Sequence, residues 1–565
     1  MKKRVPVLLI LVLMLIPTLA LGNQYRRTIP IILAEFQDQP FGISQDYADS
    51  VFKRAEKYFL SQIGTSDSIS FTLGPKVRLS AAQDGSNVAL AVAEACRLAD
   101  RELNYSHFSV RSGKELECVC VVFSGSRIWP RQYQLSKDNV FVVLDGRTIN
   151  GYMAISEFFG EETFGTGLLC HEFAHILGLP DFYDTDGEGS GGTAKGLWGC
   201  TALMDLGETN DLYSNPAGFG APDYHTLGLG HCDTLKVGEY RLEPISESHR
   251  YLWYPADMEG EYYLFECRKP SGWDSGIGGA GMLIYHVDQS KNRAGFSTYY
   301  NITLTAEQRW SRNQINCRPD HQCMDLVEAY SDADSVNAVF FPYVSGQNFA
   351  SDTDPAFRFW SGKAASLALR DIRMEADSSV SFKVIEPIRN GKEFVFQKSA
   401  ILDWEIDESL LEECDSCSAS WYKDGKECFH ALLPISASGK AYHNIDGLQP
   451  DSHYNVELRL YTRSGIYSAT RTVNTRVNDS RNTIPFIFLL LADRYPDGSF
   501  KIGSSFPLHI FNSPENSRTV WTFADKPVEI NDEGLFVVKG SGVLRAEIFY
   551  EDGSCDVIEK NIVAK

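Results

Sequence analysis

The sequence predicts a multidomain protein in which an α/β (α+β) unit is followed by a β-rich domain and two β-sandwich modules. The length of 565 residues exceeds what one hydrophobic core usually serves. Apolar residues at helical spacing are clear only within the first 238 residues. From about residue 239 onward, alternating or continuous apolar runs between Gly-rich turns indicate strands.

The N-terminal segment predicts a cleaved secretory signal. Residues 2–4 are basic, an apolar run follows, and small residues around Ala20 and Gly22 end it. We therefore expect residues 1–22 to be a signal peptide and the mature protein to be exported: secreted, periplasmic or held at the cell surface. An uncleaved N-terminal anchor is the alternative. No later run is long and apolar enough to cross a bilayer, so we expect no membrane span in the mature protein.

Composition narrows the partners and the chemistry. The formal net charge is −21 and no cluster of Lys and Arg is visible, which argues against nucleic acid as a partner. The 13 cysteines are an odd number in a chain expected to leave the reducing cytosol, so some should pair and at least one should not. Cys170 and Cys200 flank the two halves of the candidate site described below, and we predict a disulfide between them.

Residues 23–238 form the predicted α/β unit. Buried strands are predicted at "TIPIILAEF" and "CVCVVFSGS", which are apolar and bounded by turn residues. The stretch "ALAVAEACRLADREL" has helical spacing. A second helix is predicted over residues 166–178, with Thr166 as its N-cap and Gly178 at its C-terminal end.

The second helix contains the motif that indicates a function, within "LLCHEFAHILGLPDFYD" at residues 168–184. On a helix, His171 and His175 project from one face a turn apart, so both imidazoles can bind one ion. Glu172 lies beside them and can take a proton from a water at the open coordination position. The same carboxyl group can then protonate a leaving amine. This spacing predicts a catalytic Zn²⁺ site with Glu172 as the general base.

A catalytic zinc usually keeps three protein ligands, so a third is needed. Gly178 can adopt the left-handed conformation that ends the helix and turns the chain back. Asp181 then occupies the place of the third histidine in the metzincin pattern His-Glu-x-x-His-x-x-Gly-x-x-His, and we predict that it completes the set. Glu208, Asp184 or a later carboxylate is the alternative third ligand. In "WGCTALMDLG", Met204 follows a Gly-rich loop and predicts a Met-turn, the methionine beneath the metal in metzincins.

Weaker candidates lie nearby. Tyr224 in "APDYHTLG" could polarise a developing oxyanion, and a packing role is the alternative. The loop "DFYDTDGEGSGG" offers oxygen donors for Ca²⁺ from Asp184, Asp186 and Glu188. It lacks a full EF-hand pattern, which favours a solvated loop over a calcium site.

The segment "CHEFAHILGLPDFYDTD", together with "WGCTALMDLG", resembles the immune-inhibitor-A-like secreted metallopeptidases of bacteria. The resemblance extends over most of residues 27–385, through "TIPIILAEFQDQPF", "VVFSGSRIWP", "APDYHTLGLG", "EYYLFECRKPSGWDSGIGGAGMLIYHVD" and "MDLVEA". It implies a zinc endopeptidase with a metzincin-like core that acts on proteins or peptides. The implied ligands are His171, His175 and Asp181, and the implied base is Glu172.

The sequence departs from the family pattern in three places. Family members often carry an acidic Asp–Gly-rich loop before the "VVFSG" strand, but here it is "FSVRSGKELE", which argues against a metal there. The residue after "IWP" is Arg131, where the family pattern has a histidine, so no role of that histidine is expected here. Larger relatives carry a long propeptide, whereas here the catalytic unit follows the predicted signal almost directly.

The remaining residues predict β-rich structure. Residues 239–388 are expected to form a β-rich domain associated with the catalytic unit, and "EPIRNGKE" a linker. In residues 390–478, Leu448, Pro450 and Tyr454 precede an alternating strand as in a tyrosine corner, which predicts a fibronectin type III-like module. Residues 483–565 are predicted to be an Ig-like β-sandwich. These modules resemble those appended to such enzymes in Bacteroidetes-type bacteria.

Two functions follow from these observations. The first is a secreted zinc-dependent endopeptidase that hydrolyses protein substrates by zinc-activated water. The second is a surface adhesion or glycan-binding protein whose zinc site is vestigial and whose β-sandwiches bind the partner. The intact Glu172 favours the first, because a purely structural zinc site needs no base.

Overall fold

The computed structural model describes residues 27–565 apart from 65–67, 82–86, 332–333, 477–484, 488, 490–493, 496, 512–516, 532–533 and 552. The predicted signal peptide and the polar stretch "VNDSRNT" lie outside the described residues. The chain divides into two compact units. The first runs to His231 and also includes Lys269–Gly278 and Arg293–Met324, and the second contains the rest. The predicted domain boundaries stay predictions.

The first segment of the first unit contains most of the helical structure. Its described helices are α1 (Gln45–Ile63), α2 (Val88–Ala99), α3 (Thr166–Leu177) and α4 (Ala221–Leu227). Its described strands are β1 (Arg27–Glu35), β2 (Ile69–Arg78), β3 (Val110–Ser112), β4 (Glu115–Leu116), β5 (Val119–Phe123), β6 (Arg131–Gln134), β7 (Val142–Leu144), β8 (Arg147–Ile149), β9 (Gly151–Ser156), β10 (Phe158–Phe159) and β11 (Glu162–Thr163).

A five-stranded sheet in the order β2-β1-β5-β9-β6 organises this segment. Its neighbours are parallel except β6, which runs antiparallel to β9 at the edge. Ile32 and Val121 share a core with α2, whereas Phe71 of β2 packs against Phe173 of α3. Helices therefore cover both faces of the sheet, which explains why β5 is apolar throughout and β1 is apolar from residue 29 to 34.

The predicted helix at "ALAVAEACRLADREL" is confirmed as α2, but α1 is missing from the sequence-based expectations. The sequence did contain its signals. The Ser44 hydroxyl accepts a hydrogen bond from the Tyr47 amide at the helix start, and the buried residues Val51, Phe52 and Phe59 recur at helical spacing.

The regular secondary structure of residues 231–385 consists mainly of strands. Its described elements are β12 (His231–Thr234), β13 (Gly238–Leu242), α5 (Ile245–Ser248), β14 (Arg250–Pro255), β15 (Glu261–Arg268), β16 (Gly281–Asp288), β17 (Arg293–Ser297), β18 (Ile302–Thr305), α6 (Ala306–Ser311), β19 (Met324–Leu326), β20 (Gln347–Phe349), β21 (Ala368–Met374) and β22 (Val380–Ile385). Two sheets, β12-β14-β15-β16-β19 and β13-β22-β21-β20, bury a shared core that includes Phe265, Ile284 and Leu369. The predicted strand-rich character is confirmed.

Residues 388–474 form a sandwich of two antiparallel sheets. The elements are β23 (Ile388–Val395), β24 (Ser399–Ile406), α7 (Glu408–Leu411), β25 (Cys414–Lys423), β26 (Lys426–Leu432), β27 (Lys440–Asp446), β28 (His453–Thr462) and β29 (Gly465–Asn474). The orders are β23-β24-β27 and β26-β25-β28-β29, with Trp404 and Trp421 buried between the sheets. The Tyr454 hydroxyl accepts a hydrogen bond from the Gln449 amide at 2.9 Å, the contact that a tyrosine corner requires. The fibronectin type III assignment itself stays a prediction.

The C-terminal residues also form strands. The described ones are β30 (Phe486–Ile487), β31 (Ser505–Phe506), β32 (Ile510–Phe511), β33 (Arg518–Phe523), β34 (Lys526–Pro527), β35 (Phe536–Val537), β36 (Gly542–Phe549) and β37 (Cys555–Ile562). The largest sheet has the order β34-β33-β36-β37, and Phe506, Phe536 and Ile548 belong to its core. The Ig-like assignment stays a prediction. In the part of the chain that the structure describes, no helix has the length and apolarity needed to cross a bilayer.

The predicted disulfide between Cys170 and Cys200 is wrong, since the structure does not join these two described residues. Cys170 precedes His171 on α3, so its side chain points roughly 100° around the helix from that histidine. It is fully buried, while the Cys200 thiol donates a hydrogen bond to the Ile277 carbonyl at 3.4 Å. Both cysteines lie near the candidate site in the sequence, but this does not determine in which direction their side chains point.

We expect Tyr454→Phe to lower the free energy of unfolding of the sandwich by about 1 kcal/mol, because it leaves the Gln449 amide without this acceptor. Hydrogen exchange of the β28 amides in the full chain measures this change. The matched control is Tyr422→Phe, a half-buried tyrosine on the neighbouring strand. Equal protection in both variants would contradict the expectation.

Candidate metal centre

The position of α3 is fixed at its first turn. Gly165, not Thr166 as predicted, is the N-cap residue, and Thr166 is the first helical residue. The Gly167 amide donates a hydrogen bond to the Tyr213 carbonyl at 2.7 Å. A Cβ atom on Gly165 or Gly167 would overlap backbone atoms of Tyr213 or Glu208. The two glycines therefore let the 208–213 segment lie directly against the helix start, which a capping side chain at Gly165 would prevent.

One face of α3 packs in the core and leaves the other for the site. Phe173 contacts Phe59 of α1 and Phe71 of β2, with ring centroids 5.1 and 5.2 Å apart. His171 and His175 lie a turn apart, and their rings are 4.9 Å apart and perpendicular. The helix ends where predicted, at Gly178 in the left-handed conformation with φ 114°. The chain then turns back and brings Asp181 to the two histidines.

The three predicted ligands converge. Asp181 Oδ1 lies 3.1 Å from His171 Nε2 and 3.3 Å from His175 Nε2. One donor atom from each residue lies within 4.8 Å of the other two. Two ligands of one tetrahedral zinc ion, with bonds of about 2.0–2.1 Å, are roughly 3.3 Å apart. The donor set of two imidazole nitrogens and one carboxylate oxygen thus fits zinc in both chemistry and spacing.

Backbone carbonyls orient both imidazoles. His171 Nδ1 donates to the Leu203 carbonyl at 3.0 Å, and His175 Nδ1 donates to the Leu179 carbonyl at 2.8 Å. A carbonyl can only accept, so Nδ1 carries the proton in each neutral ring. Nε2 is then the nitrogen whose lone pair can bind a metal ion. This arrangement of outer partners is typical of histidines that bind a metal.

Asn313 holds Asp181 and was not predicted from the sequence. Its Nδ2 donates to Asp181 Oδ2 at 2.6 Å, and its Oδ1 accepts from the Asp181 amide at 2.9 Å. These bonds leave Oδ1 of Asp181 facing the histidines. Asn313 is 132 residues away in the sequence, at a left-handed position with φ 53°, so only the folded chain reveals its partner.

The centre is electrostatically suited to a cation. Burial alone would lower the pKa of His171, but the Asp181 hydrogen bond and the charges of Glu208, Glu172 and Asp181 raise it to about 9. Burial raises the pKa of Glu208 to about 7 and also raises the pKa of Glu172. Three carboxyl groups around two imidazoles favour a positive charge between them, supplied by a proton or a metal ion.

Glu172 and Glu208 face a cleft of about 600 Å³ beside the three predicted ligands. Glu172 is buried and Glu208 is half-buried, and each has one carboxylate oxygen that makes no hydrogen bond in the described structure. Glu208 Oε2 is 3.9 Å from His171 Nδ1, on the side of the ring away from Nε2. This places Glu208 behind His171, so it does not share the position of Asp181. Arg131 also lines the cleft.

Met204 is fully buried, and its carbonyl accepts a hydrogen bond from the Phe182 amide at 2.7 Å. Together with the bond to Leu203, this fixes the 203–204 segment beside both α3 and Asp181. The next residue, Asp205, accepts hydrogen bonds from the Leu197 and Gly199 amides and closes the Gly-rich loop. The Met-turn assignment of Met204 stays a prediction.

The structure favours the packing role of Tyr224 over a role at an oxyanion. Tyr224 is 1% exposed, packs edge-on against Phe219 in the core, and is not among the residues that line the cleft. Tyr183 and Tyr213 line it instead. The sequence around "APDYHTLG" gave no indication of which face of α4 is buried, because this helix has only seven residues.

The structure does not support the calcium prediction. Asp184 uses both oxygens to accept backbone amides within its own loop, and Glu188 is exposed and apart from the other two. Asp186 and Asp184 group with the thiol of Cys317, a ligand that calcium does not favour. Calcium prefers a shell of oxygen ligands, which this loop does not assemble.

Residues 112–210 match the family model described as immune inhibitor A peptidase M6, catalytic domain. The match includes the His171–Asp181 segment and Met204, and it supports an immune-inhibitor-A-like metallopeptidase, as the sequence motif predicted. The Bacteroidetes-type assignment stays a prediction. No curated protein matches the chain.

Solved structures with detectable similarity include a fibronectin type III domain, titin domains and a Dscam structure. A human fibronectin type III domain is 14% identical over 16% of this chain and 75% of its own, with a TM-score of 0.13. The titin domains Z1Z2 in complex with telethonin are 13% identical over 32% and 94%, also at 0.13. A Dscam structure is 12% identical over 39% and 70%, at 0.19. Similarities this low indicate nothing about what the chain does.

We expect Asn313→Ala to weaken zinc binding by about 10- to 100-fold, because Asp181 Oδ2 and its amide lose their partners. Competition with a chromophoric chelator measures the affinity. Asn301→Ala is a matched control: Asn301 is also left-handed, with φ 55°, and exposed in the same segment, so both variants carry the same backbone strain. Equal affinity in the two variants would argue against the role of Asn313.

Zinc affinity should depend steeply on pH. With the pKa of His171 near 9, a proton occupies the metal-free site at neutral pH and zinc must displace it. The apparent Kd should therefore rise about tenfold for each unit that pH falls below about 9. Glu208→Gln removes a charge that raises the His171 pKa, so it should flatten this dependence between pH 8 and 9. Chelator competition across pH 6.5–9 tests both statements, and a pH-independent Kd would refute them.

Proposed function

We propose that the chain is an exported zinc endopeptidase that hydrolyses protein substrates. The peptidase family match gives the reaction class and implies protein substrates. The observation that carries the finer proposal is the convergence of His171, His175 and Asp181 beside a buried glutamate in one cleft. The basic and apolar start of the chain, typical of a signal peptide, supports export to the periplasm, the cell surface or the medium.

His171, His175 and Asp181 would hold the zinc. Zinc supplies a Lewis acid that lowers the pKa of a bound water towards neutrality and polarises the scissile carbonyl. The carbonyls of Leu203 and Leu179 keep both imidazoles in the required tautomer, and Asn313 keeps Asp181 turned towards them. The protein therefore holds the donor set in place before a metal or substrate arrives.

Glu172 is the proposed general base. Its carboxylate has a buried oxygen without a hydrogen-bond partner, and it lines the cleft next to His171 on α3. Burial raises the pKa of Glu172, so this pKa lies closer to neutral pH than the pKa of an exposed glutamate. Glu172 takes the proton of the attacking water and then donates it to the nitrogen of the leaving amine, so one carboxyl group serves both steps.

Strand β6 offers a way to hold the substrate backbone. It is at the edge of the five-stranded sheet, and Arg131 and Gln132 at its start line the cleft. An extended peptide can add to such an edge through main-chain hydrogen bonds, which do not depend on its side chains. This supports cleavage within extended stretches of a protein chain.

We expect Glu172→Ala to lower activity on casein by about a thousandfold or more while the zinc content stays the same. A chelator should abolish wild-type activity, and added zinc should restore it. Glu162→Ala is the control, because Glu162 is exposed on a short strand of the same unit and should keep full activity.

An active Glu172→Ala protein would end the proposed mechanism. The alternative function, adhesion or glycan binding with a vestigial zinc site, predicts a different pattern. The full zinc-loaded chain would then bind its partner and cleave no protein, and Glu172→Ala would change neither property.

A further inference from the structure

Three aromatic rings form a continuous apolar rim on the cleft. Trp129 contacts Phe159 edge-on with ring centroids 4.9 Å apart, and Phe159 contacts Tyr213 in the same manner at 5.8 Å. All three line the cleft together with the metal centre. They come from three separate segments: the turn before β6, strand β10, and the loop after Met204. We call these three residues the aromatic rim.

The aromatic rim is anchored to the helix that carries the proposed ligands. The Tyr213 carbonyl accepts the Gly167 amide at the start of α3, so the position of this ring is tied to that of His171. Asp211, Leu212 and Tyr213 all have left-handed backbones, with φ of 50°, 50° and 65°. Three successive non-glycine residues in this conformation cost stability, and such strain concentrates where a side chain must be presented for function.

The rim lies about two substrate residues from the proposed chemistry. Gly167 and Glu172 are five positions apart on α3, which is roughly 7.5 Å along the helix axis. An extended peptide advances about 3.3 Å per residue. A substrate side chain that reaches the rim therefore belongs to a residue about two positions from the bond attacked beside Glu172.

The chemistry of the rim selects an apolar side chain. The Trp129 ring is 67% exposed although it is among the most apolar groups of the unit, and Leu206, also in the cleft, is 51% exposed. Neither the rim nor Leu206 carries a charge that could pair with a charged substrate side chain. A bulky apolar side chain would cover these rings and gain their contacts, whereas a charged one at the rim would find no partner among these four side chains.

The geometry points to a specificity site: Trp129, Phe159 and Tyr213 select substrates with an aromatic or large aliphatic residue within two positions of the scissile bond. This inference rests on the proposed peptidase function and adds its substrate preference.

The test uses the full zinc-loaded chain and internally quenched peptides of Gly and Ser that differ in one residue: Phe, Leu, Asp or Lys. Mass spectrometry of the products locates the cleaved bond. We expect kcat/KM for the Phe peptide to exceed that for the Asp peptide by at least about tenfold. Trp129→Ala and Phe159→Ala should lower this ratio by about fivefold or more, whereas Trp129→Phe should keep it. Tyr133→Ala is the matched control, because Tyr133 is an exposed aromatic residue of β6 that does not line the cleft.

A binding experiment separates this inference from the proposed function. Fluorescence anisotropy measures the binding of the same peptides, carrying a single dye, to zinc-loaded Glu172→Ala protein with and without Trp129→Ala. Preferential binding of the Phe peptide that Trp129→Ala abolishes would support the aromatic rim. If the wild-type zinc-loaded chain at the same time hydrolyses none of the peptides, the aromatic rim stands and the peptidase function is contradicted. Equal kcat/KM for all peptides, an unchanged ratio in both rim variants, or no preference in binding would overturn the aromatic rim.

Discussion

The carboxylate of Asp181 is the constraint on which the centre depends. Its Oδ1 lies within 3.3 Å of both imidazole Nε2 atoms, while Asn313 holds its Oδ2 and its amide. No regular secondary structure fixes Asp181, because α3 ends at Leu177 and the chain reverses at Gly178. The helix can present two donors by its own periodicity, but the third requires a partner from elsewhere in the chain.

That partner belongs to a segment that holds the whole loop after the helix. Asn316 donates to the Phe182 carbonyl at 2.7 Å, and the Gly196 amide donates to Gln322 Oε1 at 2.8 Å. The Ser190 amide donates to the Thr298 hydroxyl at 2.9 Å. Asn316, Gln322 and Thr298 lie in Arg293–Met324, a segment of the first unit that follows β16 in the sequence. The first unit is therefore discontinuous in sequence, and a chain ending at residue 238 would lack the residues that fix Asp181.

The sequence predicted what depends on local periodicity and failed where distant contacts decide. The helix over 166–178, its end at Gly178 and the gathering of His171, His175 and Asp181 follow from spacing that the structure reproduces. Asn313 could not be predicted, since nothing near residue 313 indicates a partner 132 positions away. The N-cap was misplaced because packing of the 208–213 segment, absent from any local pattern, demands glycine at 165. The choice between the two roles of Tyr224 also needed the folded chain, because its motif does not indicate that its side chain is buried.

Burial of the carboxyl groups links the chemistry of the centre to its stability. Glu172 and Asp181 are buried and Glu208 is half-buried around the same histidines, and such clustering of like charges opposes folding unless a cation compensates it. In the metal-free protein, a proton on His171 supplies part of that compensation, as its raised pKa indicates. A divalent ion supplies more, so metal binding stabilises the folded centre. The same desolvation raises the pKa of Glu172, which suits it to accept a proton near neutral pH. Burial of the carboxyl groups therefore destabilises the centre without a metal and also raises the pKa of Glu172, the proposed base.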